Sequence, residues 1–291
     1  ELRRLVEAAG HQWTAGHTSI SRLSPAERAC LLGVPPEVEE WERGQAAQQV
    51  EVQSRLYTYP AAIDWRNHEG WDWTTPIRNQ GNCGSCVSFG TSAAIESRLE
   101  VAEGDPGLNP DLSEAHLFFC GCGYCCGTGW LPSLAMDFVQ NTGVVDEGCY
   151  PYVAHDQPCS PCADWQQRVI RIDDWTGVSN VEQMKEHLSA GGPFEATMEV
   201  YMDFYYYTAG VYQHAWGEHQ GGHAVMIVGY DDNEGYWIAK NSWGTGWGEE
   251  GWFRIAYGEC GIDTYAYVPI IRPRIVLSHT AYLPLVFGHT Q

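Results

Sequence analysis

Gln80-Gly81-Asn82-Cys83-Gly84-Ser85-Cys86 runs directly into Val87-Ser88-Phe89-Gly90-Thr91-Ser92-Ala93-Ala94-Ile95-Glu96-Ser97-Arg98-Leu99. The first half is a glycine-rich turn with two cysteines two residues apart. The second half reads as a helix: Phe89, Ala93 and Val101 recur at helical spacing, no proline interrupts 86–102, and Glu103-Gly-Asp-Pro-Gly107 stops it. Cys86 therefore falls where a loop becomes the first turn of a helix. Unpaired backbone N–H groups and the positive end of the helix dipole favour an anion at that point, and a thiolate is one. A metal clip or a redox pair is the competing reading of Cys83-x-x-Cys86, with Cys125-Cys126 or Cys159-x-x-Cys162 as a second ligand pair for zinc.

The rest of the chain narrows the class. At 291 residues, with 13 Trp, 16 Tyr and 32 Gly, it has a globular composition and enough length for one large or two small domains. The formal charge of −21 argues against a nucleic-acid partner. Residues 1–57 carry little of that charge, so the acidic surface belongs to the body, and such a surface repels itself less in a mildly acidic medium. Eleven cysteines point to disulfides and hence to a secreted or lumenal, lysosome-like compartment, and the odd number leaves at least one free thiol. No membrane span is expected, and Glu1-Leu-Arg-Arg-Leu-Val-Glu7 is amphipathic rather than an apolar leader.

In chain order, Leu2, Leu5, Val6 and Ala9 suggest a short amphipathic helix, 11–17 a turn, and Leu23–Gly33 a second helix with Ser24 as N-cap and Pro25 at its first position. Glu37–Arg55, charged and rich in Gln, reads as mobile. Ser113 caps a further short helix, 121–129 is an irregular loop dense in Cys and Gly, and Leu131, Leu134, Ala135 and Phe138 mark a helix over 130–141. A last helix spans 182–188. From Phe194 the texture changes to strands, at 194–200, after Gly210, and at 224–230, 236–241, 251–256 and 265–269. Helices first and strands second give an α+β protein with two halves and a cleft between them.

His223 opens the apolar run 224–228, and Asn241 ends the strand before Ser242-Trp243-Gly244. Singly, each reads as a structural residue. With Cys86 they form an ordered Cys, His, Asn set whose spacing suits a thiol nucleophile with its base and orienting group. An imidazolium beside the thiolate holds it as an ion pair and protonates the leaving amine, and Asn241 fixes the ring through its second nitrogen. Trp243 would shield that bond. The Cys86 backbone N–H and the Gln80 side-chain amide are the candidate donors for a tetrahedral oxyanion.

These motifs, Gln80–Cys86, Gly222-His223-Ala224-Val225 and Asn241-Ser-Trp-Gly-Thr-Gly-Trp-Gly248, resemble those of the papain-like (C1) cysteine peptidases, with Ile63-Asp-Trp-Arg66 and Leu112-Ser-Glu114 in matching places. The likeness covers most of 59–269. It implies a papain-like two-domain fold over 58–269, with a helical left half (mainly 75–190), a β-barrel-like right half (mainly 191–269) and a substrate cleft between them. It implies catalytic Cys86, His223 and Asn241, with Gln80 in the oxyanion hole, no metal and no cofactor. Gly127-Thr128-Gly129-Trp130 takes the place of the wall that pairs with extended substrate, together with Gly222 and Trp243. Trp130, Leu131, Ala224 and Tyr265 would form the subsite for the second residue before the cut. Thr128 and Val87 depart from the family's usual residues there, Gly and an aromatic.

The same resemblance implies bridges Cys83 to Cys126 or Cys125 and Cys120 to Cys159. Cys122, Cys149 and Cys162 are extra, left to pair among themselves or with Cys125, and Cys260 lacks its usual partner. Residues 1–57, through Trp13-Thr-Ala-Gly16 and Cys30-Leu-Leu-Gly33, resemble the short inhibitory propeptides of the cathepsin B-like branch. The branch's exopeptidase activity needs an inserted loop with paired histidines, and the stretch after Tyr152 offers only His155. The expectation is a monomeric zymogen of an endopeptidase acting on protein or peptide substrates, blocked by its own propeptide in cis. The rival readings are a catalytically silent peptide- or glycan-binding relative, disfavoured because no expected catalytic residue is substituted, and a peptide ligase using the same residues. Residues 270–291 form an extension without an assigned role.

Overall fold

The structure is a computed structural model and describes residues 1–48 and 59–273. Three short helices and one short strand come first: α1 (Leu2–Ala8), β1 (Trp13–Ala15), α2 (Pro25–Ala29) and α3 (Pro36–Gln48). After β2 (Ala62–Asp64), the body is α4 (Cys86–Glu103), α5 (Pro132–Asn141), β3 (Asp174–Val178), α6 (Val181–Gly191), β4 (Phe194–Tyr201), β5 (Tyr207–Tyr212), β6 (His219–Asp231), β7 (Tyr236–Lys240), β8 (Trp252–Ala256) and β9 (Ala266–Ile270). The strands run in the order β1-β5-β8-β7-β6-β4-β9-β3, with β2 on β6. The path stays open among the described residues, where a barrel-like right half was expected.

α4 is not a surface helix with one apolar stripe. Cys86 through Glu100 are all buried. Small side chains at Gly90, Ser92, Ala93, Ala94 and Ser97 allow neighbours on every side, and Ala93 and Ala94 pack with Met226 and Val228 of β6. Gly104, at φ 65°, ends the helix in the left-handed conformation that glycine adopts without strain. Beneath β7, Lys240 Nζ donates to Thr75 O (2.7 Å) and Thr75 Oγ1 donates to Glu96 on α4. The Glu96 carboxylate also accepts the Leu112 N–H at 2.8 Å, so the buried charge is partnered on each side.

Four disulfides fix the left half: Cys83–Cys126, Cys120–Cys159, Cys122–Cys125 and Cys149–Cys162. Cys30, Cys86 and Cys260 remain free.

The first 48 residues differ most from their sequence reading. The stretch 11–17 holds strand β1, which pairs antiparallel with β5. Trp13 is buried there, with its ring 5.2 Å from Tyr212 and its Nε1 donating to Gln213 O. α2 forms with the expected cap, since Ser24 and Glu27 exchange side-chain and backbone bonds. It stops at Ala29 rather than Gly33, because 31–34 are committed to backbone contacts with the body.

The stretch read as mobile is helix α3 up to Gln48, and residues 49–55 lie outside the described residues. Tertiary contact overrides its polar composition. Trp41 meets Tyr265 edge-on at 5.4 Å, and Glu42 is buried, accepting from Thr197 Oγ1 (2.8 Å) and Tyr267 Oη (2.7 Å). The expected processing region and residues 274–291 also lie outside the described residues.

Because Trp13 ties β1 to the sheet edge, Trp13→Ala is expected to cost about 3–5 kcal/mol of the segment's attachment. Limited proteolysis followed by mass spectrometry should then cut within residues 1–33 well before the body. Equal protection in the variant would show that β1 does not hold the segment.

Candidate active site

The site assembles where the start of α4 meets β6 and the end of β7. Cys86 is the first helical residue, and Ser85 and Gln80 position the loop before it. Tyr152 Oη bonds Ser85 Oγ (2.7 Å) and donates to Gln80 O (2.8 Å). The Gln80 N–H donates to Ser242 O, and Ser242 Oγ donates to Gln80 Oε1 at 2.7 Å. With its oxygen thus occupied, Gln80 presents its amide nitrogen to the cleft.

His223 and Asn241 come from neighbouring antiparallel strands whose register pairs Met226 with Lys240. His223 Nε2 and Asn241 Oδ1 are 2.8 Å apart and buried. Nε2 therefore carries the proton and donates to the amide oxygen, which also accepts the Ser242 N–H. The Trp243 indole lies over the imidazole, 4.7 Å between centroids and inclined at 34°. His223 Nδ1 has no hydrogen-bond partner among the described residues, and the Cys86 sulfur lies beside the backbone of Ala224, the next residue in the strand.

That side is covered by residues 31–34. Gln80 Nε2 donates to Leu31 O (3.1 Å) as well as to Cys83 O (2.9 Å). The Leu31 carbonyl also faces His223 and favours its protonated form, short of a well-formed bond from Nδ1. The Gly33 backbone N–H points at the Cys86 sulfur. Trp130 N–H donates to Gly33 O (2.9 Å), and Val34 bridges Gly222, its N–H donating to Gly222 O (3.2 Å).

Backbones approach so closely that a Cβ on Gly33 would lie 1.9 Å from Gly84 O. One on Gly129, already at φ 74°, would lie 2.0 Å from Gly33 O. Of the other residues singled out from sequence, Ala224 and Tyr265 lie with Trp130 in one apolar cluster against which Val34 packs. Leu131 lines a recess with Val38, Trp41 and Tyr267, whereas Gly127 and Thr128 stay at the surface.

Burial changes the expected electrostatics. A helix start was expected to lower the Cys86 pKa. In the covered site, desolvation pushes the thiol up to about 12 against the donors around it. The same burial pushes His223 down to about 4, against the favourable Asn241 bond and Leu31 carbonyl. The covered pair is thus a neutral thiol and a neutral imidazole.

Tyr152 carried no sequence signal, because its role depends on a contact 72 residues away in the chain. Leu31 and Gly33 carried a partial one, in the Leu-Leu-Gly run. Cys83 is bonded to Cys126 and is no metal ligand.

The family model for papain family cysteine proteases matches residues 59–270. Cathepsin B-like CP2 of Giardia intestinalis is 36% identical over 227 residues, covering 72% of this chain and 73% of that one. Pro-cathepsin H of Bos taurus is 35% identical over 230 residues, covering 73% and 65%. Among solved structures, procathepsin B S9 from Trypanosoma congolense superposes with a TM-score of 0.76 at 27% identity, covering 92% of this chain and 96% of that one. The digestive procathepsin L2 of Tenebrio molitor gives 0.75 at 30%, covering 92% and 87%. The chain belongs to the papain family of cysteine proteases and is a cysteine peptidase in its proform.

Proposed function

We propose that this chain is the latent form of an endopeptidase that cuts peptide bonds through Cys86 and His223, with Asn241 orienting the imidazole and Gln80 stabilising the oxyanion. The observation that carries the reading is the Gln80 amide donating to a peptide carbonyl, that of Leu31, beside the Cys86–His223 pair. A substrate carbonyl entering in its place would receive the same bond as negative charge develops on it. Cys86 then attacks and forms a thioacyl-enzyme, His223 delivers its proton to the departing amine, and water attacks the thioester with His223 as base.

The acyl side of the substrate would run along Gly129–Trp130 and Gly222, where Gly33 O now accepts from the Trp130 N–H and Val34 bridges Gly222. Gly127, Thr128, Trp130, Leu131, Ala224, Trp243 and Tyr265 are the remaining subsite candidates. The four disulfides and acidic surface favour an oxidising, mildly acidic setting such as a secreted or lumenal one. Among the described residues no helix is long and apolar enough to cross a membrane.

Acid is the expected trigger. His223 sits at about 4 when covered, and an exposed imidazole titrates near 6.5. Where the uncovered Cys86 keeps its own proton, the uncovered state binds one more between those values, so falling pH favours uncovering; where the thiol passes its proton to the imidazole, the pair takes up none and adds no slope. The cover is held in full above about pH 6.5 and weakens toward pH 4, by at most about 3 kcal/mol. Burial raises the Glu195 carboxyl well above the ordinary carboxylate range.

Intact mass should show a fragment ending after residue 48 released faster as pH falls from 6.5 to 4, and not at all in Cys86→Ala. A rate independent of pH would contradict the imidazole trigger. Release in Cys86→Ala would contradict processing by this thiol.

Gly33→Val should expel the cover, since its Cβ has no room against Gly84 O. Alkylation of Cys86 by iodoacetamide at neutral pH should then be at least about tenfold faster than in the parent chain, and an unchanged rate would mean that 31–34 do not limit access. Gln80→Ala in the processed protein should lower kcat by about 10²–10³ with little change in KM. A change confined to KM would remove Gln80 from the oxyanion site.

A further inference from the structure

Beyond His223, on the side away from Gly129 and Gly222, the first residues of the chain place one cation in a recess. Arg28, at the end of α2, lies over the face of Tyr205, 5.1 Å from guanidinium carbon to ring centroid. Its Nη1 reaches Met202 Sδ at 3.6 Å. Tyr205 is 1% exposed, and its hydroxyl has no hydrogen-bond partner among the described residues; neither has Arg28 Nε. The ring stands 5.8 Å from that of Trp243, which in turn lies over His223.

Met202 N–H donates to Glu218 O, and Glu199 at the end of β4 pairs with the exposed His219. The recess is therefore an aromatic floor that reaches the imidazole through Trp243, and its present occupant is a guanidinium.

The chemistry fixes which part of a substrate reaches it. His223 must hand its proton to the leaving amine, so the chain beyond the scissile bond leaves over His223 and Trp243. The acyl part lies on the other side, along Gly129 and Gly222.

We propose that the Tyr205–Met202 recess is a specificity site for a basic side chain, Arg or Lys, in the first residues after the scissile bond, and that Arg28 occupies it in the latent protein. The proposal rests on the peptidase reading above. Tyr205 supplies the ring face, whose negative quadrupole attracts a cation and disfavours an acidic side chain, and Met202 supplies a polarizable wall. The sequence carries no such signal: tyrosine recurs at 201, 205, 206, 207 and 212, and only the fold stacks Tyr205 against Trp243 and under Arg28.

The test uses the full chain after release of its N-terminal segment and a set of internally quenched peptides. The peptides share one acyl side and carry Arg, Lys, norleucine or Glu at each of the two positions after the cut. Arg and Lys should exceed norleucine by about fivefold in kcat/KM, the order of a partly desolvated cation–π contact, and Glu should be the poorest. Tyr205→Phe should keep the Arg-to-norleucine ratio and Tyr205→Leu should reduce it to near one, whatever happens to the absolute rates. In the full chain, Arg28→Ala should speed neutral-pH alkylation of Cys86, whereas Arg28→Lys should not.

Equal rates for Arg and norleucine, or a preference that survives Tyr205→Leu, would overturn the specificity site while leaving the peptidase reading intact. Failure to cut any of the peptides would overturn both.

Discussion

The contact between α4 and β6 is the constraint on which the site depends. A helix buried over fifteen successive residues cannot shift without opening the body on every side. Its first residue is Cys86, and the strand it packs against begins its buried run at His223. Cys86 and the His223–Ala224 segment are therefore brought together by the middle of the protein, through Ala93 and Ala94 on Met226 and Val228, rather than by the loops at the cleft. Lys240, Thr75 and Glu96 then tie β7, and so Asn241 just beyond it, to the same helix.

Two effects compete at Cys86. The helix start favours the thiolate by an amount that is typically below about 2 kcal/mol even in partly buried geometries. Desolvation of an anion in a site closed by Leu31–Val34 is larger, and it wins: the thiol rises to about 12 while the imidazole falls to about 4. Latency is thus electrostatic as well as steric. Removing the cover readmits water, restores the weight of the helix start and lets the two groups share charge.

Much of this was legible in the sequence. The loop-to-helix transition at Cys86, the buried run after His223 and the strand ending at Asn241 depend on local composition and periodicity, and each appears in the fold within a few residues. The N-terminal segment was less legible for a physical reason. Its structure is borrowed from the body: β1 exists because β5 offers an edge, and α3 is ordered by Tyr265, Tyr267 and Thr197. A polar, Gln-rich stretch carries no periodic sign of partners as distant in the chain as Thr197 is from Glu42. The ionisation of Cys86 was misjudged for the same reason, since the cover that decides it lies well upstream in the chain.

The cover touches the groups a substrate would touch, and the structure shows why contact does not become hydrolysis. Catalysis needs a carbonyl carbon against the sulfur, its oxygen at Gln80 and a leaving nitrogen near His223. Here the oxygen at Gln80 belongs to Leu31, but the group turned toward the sulfur is the N–H of Gly33, two residues on. The carbonyl carbon is the only backbone centre a thiol attacks, and an N–H turned toward the sulfur offers it none. The Leu31 carbonyl also faces the imidazole, where the leaving nitrogen would have to be. Gly33 is needed for that arrangement, because any side chain would drive the backbone off Gly84. Inhibition and cleavage differ here by which end of a peptide group faces the sulfur.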